Sequence, residues 1–149
     1  MKVVFILGDP KKNLLSRLTS IFTKCPAYHV GFLDEETNMF YDMYWLRRRR
    51  RWPRYDENMC IMFDVPEVTR EFLEEKLSVD DSSYGVIDYL MFGLRPIFHI
   101  FGKTTKNAGG MICSEMVNCD IIDCGGETPF SKDEHPPSPR DLLRWLSSK

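Results

Sequence analysis

At 149 residues, with 43% hydrophobic residues and 13% aromatic, the chain suits a single domain, residues 1–149, built around one core. Twenty Lys and Arg against 22 Asp and Glu give a formal net charge of −2, which excludes a generally basic nucleic-acid binder. Five cysteines, at 25, 60, 113, 119 and 124, form an odd set with no C-x-x-C pair, so neither a disulfide framework nor a zinc site has its usual spacing.

Val3 to Leu7 is a continuous apolar run ended by Gly8-Asp9-Pro10, the pattern of a buried strand and a turn. It is too short for the apolar core of a signal peptide, and no window approaches a transmembrane span. Reduced thiols and a cytoplasmic location are therefore expected. From Asn13 to Phe22 the apolar residues recur at 14, 15, 18, 21 and 22, which predicts an amphipathic helix. Ala27 to Leu33 and Met39 to Trp45 predict two strands of a β-hairpin. Alternation puts His29, Gly31 and Leu33 on one face and Tyr28, Val30 and Phe32 on the other, with Gly31 leaving open space beside the imidazole.

Arg47, Arg48, Arg49, Arg50 and Arg51 follow, flanked by Trp45, Trp52 and Tyr55. Five adjacent like charges repel, so a solvated turn or flexible arm is expected. Such a tract beside aromatics is also a candidate grip for phosphate, nucleic acid or another anionic polymer. Met59 to Val65 predicts a further strand stopped by Pro66, and Glu67 to Leu77 a surface helix with Phe72, Leu73 and Leu77 inward. Tyr84-Gly85 opens an apolar region whose periodicity over Val86 to Gly93 suits a buried helix, before a short apolar piece, Ile97 to Phe101. Thr128 to Pro139 is a proline-rich polar connection, and Ser138-Pro139 starts a last helix carrying Leu142, Leu143, Trp145 and Leu146.

Between these lies Gly109 to Gly126, an apolar-periodic run bracketed by glycines. A helix from Cys113 onward puts Cys113, Val117, Ile121 and Cys124 on one face, Glu115 in the first turn and Gly125 at the C-terminal cap. The positive end of such a helix favours a thiolate at Cys113, the nucleophilic form. A buried structural cysteine is the competing reading until a base is found. Of three histidines, His135 sits in a proline loop and His99 in an apolar piece, whereas His29 is on a strand that can hold it rigidly. The acid facing His29 is Asp42, provided the hairpin register is odd. A four-residue loop, Asp34 to Thr37, pairs His29 directly with Asp42; a five-residue loop would turn the carboxylate to the other face.

His29-Val30-Gly31 on one strand, Asp42 near the end of the next, Tyr84-Gly85 leading into helical structure and Cys113-Ser114-Glu115-Met116-Val117 opening a helix together resemble the circularly permuted papain-like hydrolases. These are the NlpC-type enzymes, a group that also takes in the lecithin:retinol acyltransferase relatives and some viral proteins. The order of elements matches from about Val3 to Gly126. The resemblance implies an α+β fold with a small antiparallel sheet packed against helices. It implies Cys113 as nucleophile, His29 as base, Asp42 as orienting group and Tyr84 in positioning substrate or the oxyanion. The permuted members more often carry Glu at the third position, and the arginine run is outside their pattern. The expected activity is cleavage or transfer at an amide, ester or thioester bond of a peptide, acyl lipid or modified protein, with no cofactor or metal, in a host cytoplasm if the chain is virus-encoded. The alternative is a papain-like scaffold that binds an anionic partner through Arg47 to Arg51 without catalysis.

Overall fold

A computed structural model describes residues 1–8, 25–53, 57–80, 111–132 and 136–149. The helix expected over 13–22, the apolar regions at 86–93 and 97–101, Tyr55, Tyr84, His99 and His135 lie outside those residues. The fold is α+β: five antiparallel strands, β1 (Lys2–Leu7), β2 (Ala27–Asp34), β3 (Met39–Met43), β4 (Arg47–Arg51) and β5 (Cys60–Asp64), stand in the order β4-β3-β2-β1-β5. Three helices are described, α1 (Arg70–Val79), α2 (Cys113–Asp123) and α3 (Pro139–Leu146). Among the described residues no helix is long and apolar enough to cross a membrane.

Alternating side chains divide the sheet into two apolar clusters. The main one joins Val3, Phe5, Val30, Phe32, Tyr41 and Met43 to Leu73 of α1, to Met116, Val117 and Ile121 of α2, and to Leu142 and Leu146 of α3. On the opposite face Val4, Ile6, Leu33, Phe40 and Trp52 form a smaller cluster. Each fully buried Phe or Met contributes roughly 1.5–3 kcal/mol relative to exposure, so the helix-covered face is where most of the apolar stabilisation lies.

The helix ends follow their sequence signals. Ser138 Oγ accepts from the Asp141 N–H while Asp141 Oδ2 accepts from the Ser138 N–H, a reciprocal cap with Pro139 in the first turn. After α2, Gly125 adopts φ +82°, and the N–H groups of Gly125 and Gly126 donate to the carbonyls of Ile122 and Ile121. This is a C-terminal turn that needs a left-handed residue, which glycine adopts without strain. The first of the three described helices begins later than expected: Pro66 and Glu67 form a turn, and Thr69 caps α1 by accepting from the Phe72 N–H.

Three local expectations are corrected. The hairpin pairs Asp34 with Met39 and Gly31 with Asp42, one residue further along each strand than a loop of Asp34 to Thr37 requires. Asp34 completes β2 and braces the turn through the Glu36 N–H (3.1 Å) and the Thr37 hydroxyl (2.5 Å), while Asn38 takes the left-handed conformation at φ 57°. The loop, Glu35 to Asn38, is still four residues long, so the odd parity survives. Second, Tyr28 packs with the smaller cluster and not with Val30 and Phe32, because a bulge breaks the alternation: Ile6 pairs with His29 but Leu7 with Ala27, leaving Tyr28 as the extra residue. Third, Arg47 to Arg51 is strand β4 and not a solvated arm. Its charges alternate between two faces, and acidic groups of the same chain receive Arg47 to Arg50.

Candidate active site

β2 and β3 bring two of the predicted residues together. His29 Nε2 stands 2.9 Å from Asp42 Oδ2, although the backbone partner of Asp42 is Gly31. The bond runs diagonally across the hairpin, between residues whose side chains leave the sheet on the same face. Asp42 is fully buried. Burial opposes its charge, but hydrogen bonds from His29 and Arg48 and the nearby charges of His29 and Arg50 hold its carboxyl well below the usual carboxylate range. A carboxylate in that state only accepts, so Nε2 carries hydrogen and donates, leaving Nδ1 for another partner.

Cys113, at the start of α2, lies close enough to this ring to act on its protonation. Burial works against charge on His29, but the Asp42 hydrogen bond, a hydrogen bond with Cys113 and the charges of both groups outweigh it and raise its pKa to about 9. The net effect favours the protonated ring. Two aromatic rings limit its movement: Tyr28 lies stacked at a centroid distance of 6.3 Å, and Phe40 presents its edge at 6.3 Å. Phe40 in turn packs on Trp52 at 4.9 Å. Gly31 serves this packing and leaves no empty space, contrary to expectation. A Cβ there would stand 2.7 Å from Phe40 Cζ and 2.5 Å from the Tyr41 carbonyl oxygen.

Cys113 sits at the first position of α2, as its sequence signals predict. The preceding Ile112 is extended and cannot cap with its own side chain; Glu115 Oε2 accepts the Ile112 N–H instead, at 3.3 Å. The amides of Cys113 and Ser114 are among the first-turn donors that a helix cannot pair internally, and they face the same end as the thiol. The helix is buried over more than the expected face: Ser114, Glu115, Asn118 and Asp120 are buried with the apolar stripe, whereas Cys124 is half-buried. Among the described residues Ser114 Oγ is buried with no hydrogen-bond partner, a cost of about 1–3 kcal/mol if none is supplied elsewhere.

Arg47 to Arg50, expected as a solvated arm or an anionic grip, have acidic partners within the chain. On the face shared with His29, Arg48 donates to Asp42 through Nε (2.6 Å) and Nη2 (3.2 Å), and Arg50 donates through Nε and Nη2 (both 3.2 Å). On the helix-covered face, Arg49 pairs with Glu74, and Arg47 is buried. Arg47 donates to both Asp120 oxygens at 2.6 and 3.0 Å and to Asp80 at 2.8 Å. Burial works against the Arg47 charge, but Asp120 and Asp80 more than compensate and hold it. Arg51 is exposed, whereas Trp52 is buried against Phe40. The usable signal was parity: if the run is a strand, residues 48 and 50 share a face, and the nearest acid on the preceding strand is Asp42.

The five cysteines are all free, and no cluster of three or more His, Cys, Asp or Glu that could hold a metal occurs among the described residues. The fold and this cluster define an α+β protein with a cysteine, a histidine and an aspartate gathered at one helix start. Compared with protein-family models, curated proteins and solved structures, the chain finds no significant match.

Proposed function

We propose that the chain is a cysteine-dependent hydrolase or acyltransferase acting on an amide, ester or thioester bond, with Cys113 as nucleophile, His29 as acid and base, and Asp42 as the group that orients His29. The observation that carries this reading is the single imidazole held by Asp42 through Nε2 at 2.9 Å, with Cys113 near enough to raise its proton affinity. Its Nε2 anchor leaves the other ring nitrogen to work on the sulfur, the division of labour a cysteine nucleophile requires. The arrangement agrees with a permuted papain-like order, histidine strand before cysteine helix.

In this mechanism the imidazolium stabilises the sulfur as its anion. The sulfur attacks the substrate carbonyl carbon, forming a carbon–sulfur bond while the carbonyl π pair moves to oxygen, where first-turn amides of α2 receive it. Collapse expels the leaving group, which takes the His29 proton, and a thioester remains on Cys113. Neutral His29 then takes a proton from water or an acceptor hydroxyl or amine as that group attacks the thioester, and the thiolate returns. Peptide, acyl-lipid and modified-protein carbonyls all satisfy these steps. The anionic-partner reading has less support, because Arg47 to Arg50 are engaged by acids of the same chain.

The test is a search for the covalent intermediate. Incubated with a p-nitrophenyl ester, the protein should gain one acyl group, located by peptide mass spectrometry on Cys113 and absent from Cys113→Ala. Equal acylation of the Cys113→Ala variant would remove the assignment.

A further inference from the structure

We propose that Arg48 and Arg50 are positioning residues of this site: from β4 they clamp the Asp42 carboxylate and restrain the proton affinity that it confers on His29. The proposal rests on the catalytic reading for its significance, but the clamp itself is an electrostatic device that can be measured without turnover.

Register makes the clamp. Asp42 pairs with Arg48 and Phe40 with Arg50, so both guanidinium groups leave β4 on the face that carries Asp42 and His29. Asp42 Oδ1 receives Arg48 Nε at 2.6 Å, which fixes the rotation of the carboxylate. Oδ2 receives His29 Nε2 at 2.9 Å, Arg48 Nη2 at 3.2 Å, and both Arg50 Nε and Nη2 at 3.2 Å. One oxygen thus serves four donors, more than its lone pairs satisfy well, and His29 competes for it. The guanidinium groups are themselves held: Arg50 lies over the Phe40 ring at 5.1 Å and Arg48 over the Tyr44 ring at 4.6 Å.

Two permanent positive charges beside one carboxylate change what the carboxylate does to the imidazole. Alone, a buried aspartate would bind the imidazolium so tightly that the proton could not be passed to a leaving group. Arg48 and Arg50 share the negative charge and repel the imidazolium, so the proton is held but remains transferable. Among the described residues, the other titratable groups around the pair are Cys113 from α2, Tyr28 beside His29 on β2, Tyr44 under Arg48, and Cys60 of β5, which packs in the same cluster as Tyr28. The arginines alone among these add fixed positive charge. Arg48 and Arg50 are 40% and 28% exposed, so solvent screens part of the effect.

The test is an NMR pH titration of histidine-labelled full-length protein, with the His29 signal assigned by its loss in His29→Gln. Arg50→Gln and Arg48→Gln should each move the His29 midpoint to higher pH by roughly half a unit to one unit. Arg50→Lys, which keeps the charge, should stay close to the parent. Should either glutamine variant fail to fold, the other reads the same quantity. A midpoint that stays put or falls when either arginine is neutralised would overturn the proposal. Alkylation of Cys113 in the parent separates the two claims: a shifted midpoint with an inert Cys113 retains the clamp and removes the catalytic reading, whereas an unmoved midpoint with a reactive Cys113 removes the clamp alone.

Discussion

His29 and Asp42 meet at 2.9 Å across the β2–β3 hairpin without being backbone partners; the residue opposite Asp42 is Gly31. The diagonal contact succeeds because both side chains leave the same face and because glycine lets the Phe40 ring occupy the space beside the imidazole. This relationship makes the site sensitive to small changes that a direct pair would tolerate.

Gly31→Ala is expected to destabilise the protein by about 1–3 kcal/mol, since the new methyl meets the Phe40 ring and the fixed carbonyl of Tyr41 at once. Chemical denaturation measures this. A change within about 0.5 kcal/mol, the ordinary range for a surface substitution, would mean that the contacts relax freely.

Asp42→Asn keeps the shape and removes the charge. The variant leaves Arg48 and Arg50 facing a neutral amide and is expected to lose about 3 kcal/mol of stability. Its His29 should lose its proton at lower pH than the parent, and acylation of Cys113 at neutral pH should slow by a factor of about 10². An unshifted His29 midpoint in this variant would show that Asp42 does not hold the ring.

Stability should also depend on pH through His29. Burial lowers its proton affinity, but Asp42 and Cys113 raise it further, from 6.5 to about 9. A raised value means that the folded state binds the proton more tightly than the unfolded chain. The contribution is therefore complete below about pH 6.5 and is lost as pH rises through about 9, amounting to about 3 kcal/mol at 1.36 kcal/mol per unit. Urea midpoints across that interval should fall in the parent and fall less in His29→Gln. Parallel curves would contradict the assignment.

Arg47 tests a different joint. Its guanidinium ties β4 to α2 through Asp120 and to the end of α1 through Asp80. Arg47→Met leaves the buried Asp120 without that partner and should cost about 3–5 kcal/mol; adding Asp120→Leu should recover most of it. A double variant no more stable than the single one would show that the pair does not act as a unit.

Much of this was legible in the sequence where local rules dominate. Ser138-Pro139 and Gly125 mark helix ends because capping is decided within a few residues, and the apolar spacing from Cys113 places α2. The parity of the hairpin was legible, since loop length alone sets it, but its register was not: Asp34 and Asn38 settle that through a side-chain brace and a left-handed backbone. Arg47 to Arg51 misleads for a physical reason. Local repulsion argues for a solvated arm, whereas Asp42 on the preceding strand, and Glu74, Asp80 and Asp120, distant in sequence, supply the opposing charges once the sheet has formed. The bulge at Tyr28 likewise depends on β1.

The most direct measurement is alkylation by iodoacetamide at mildly acidic pH, with peptide mapping of all five cysteines. Burial pushes the Cys60 and Cys124 thiols up, and burial together with the Glu115 charge pushes Cys119 up to about 11, so these three should be nearly inert there. Cys113, beside the protonated His29, should react first, and its rate should collapse in His29→Ala with the fold intact. Uniform labelling, or a Cys113 that stays unmodified while others react, would contradict the reading of Cys113 as a nucleophile.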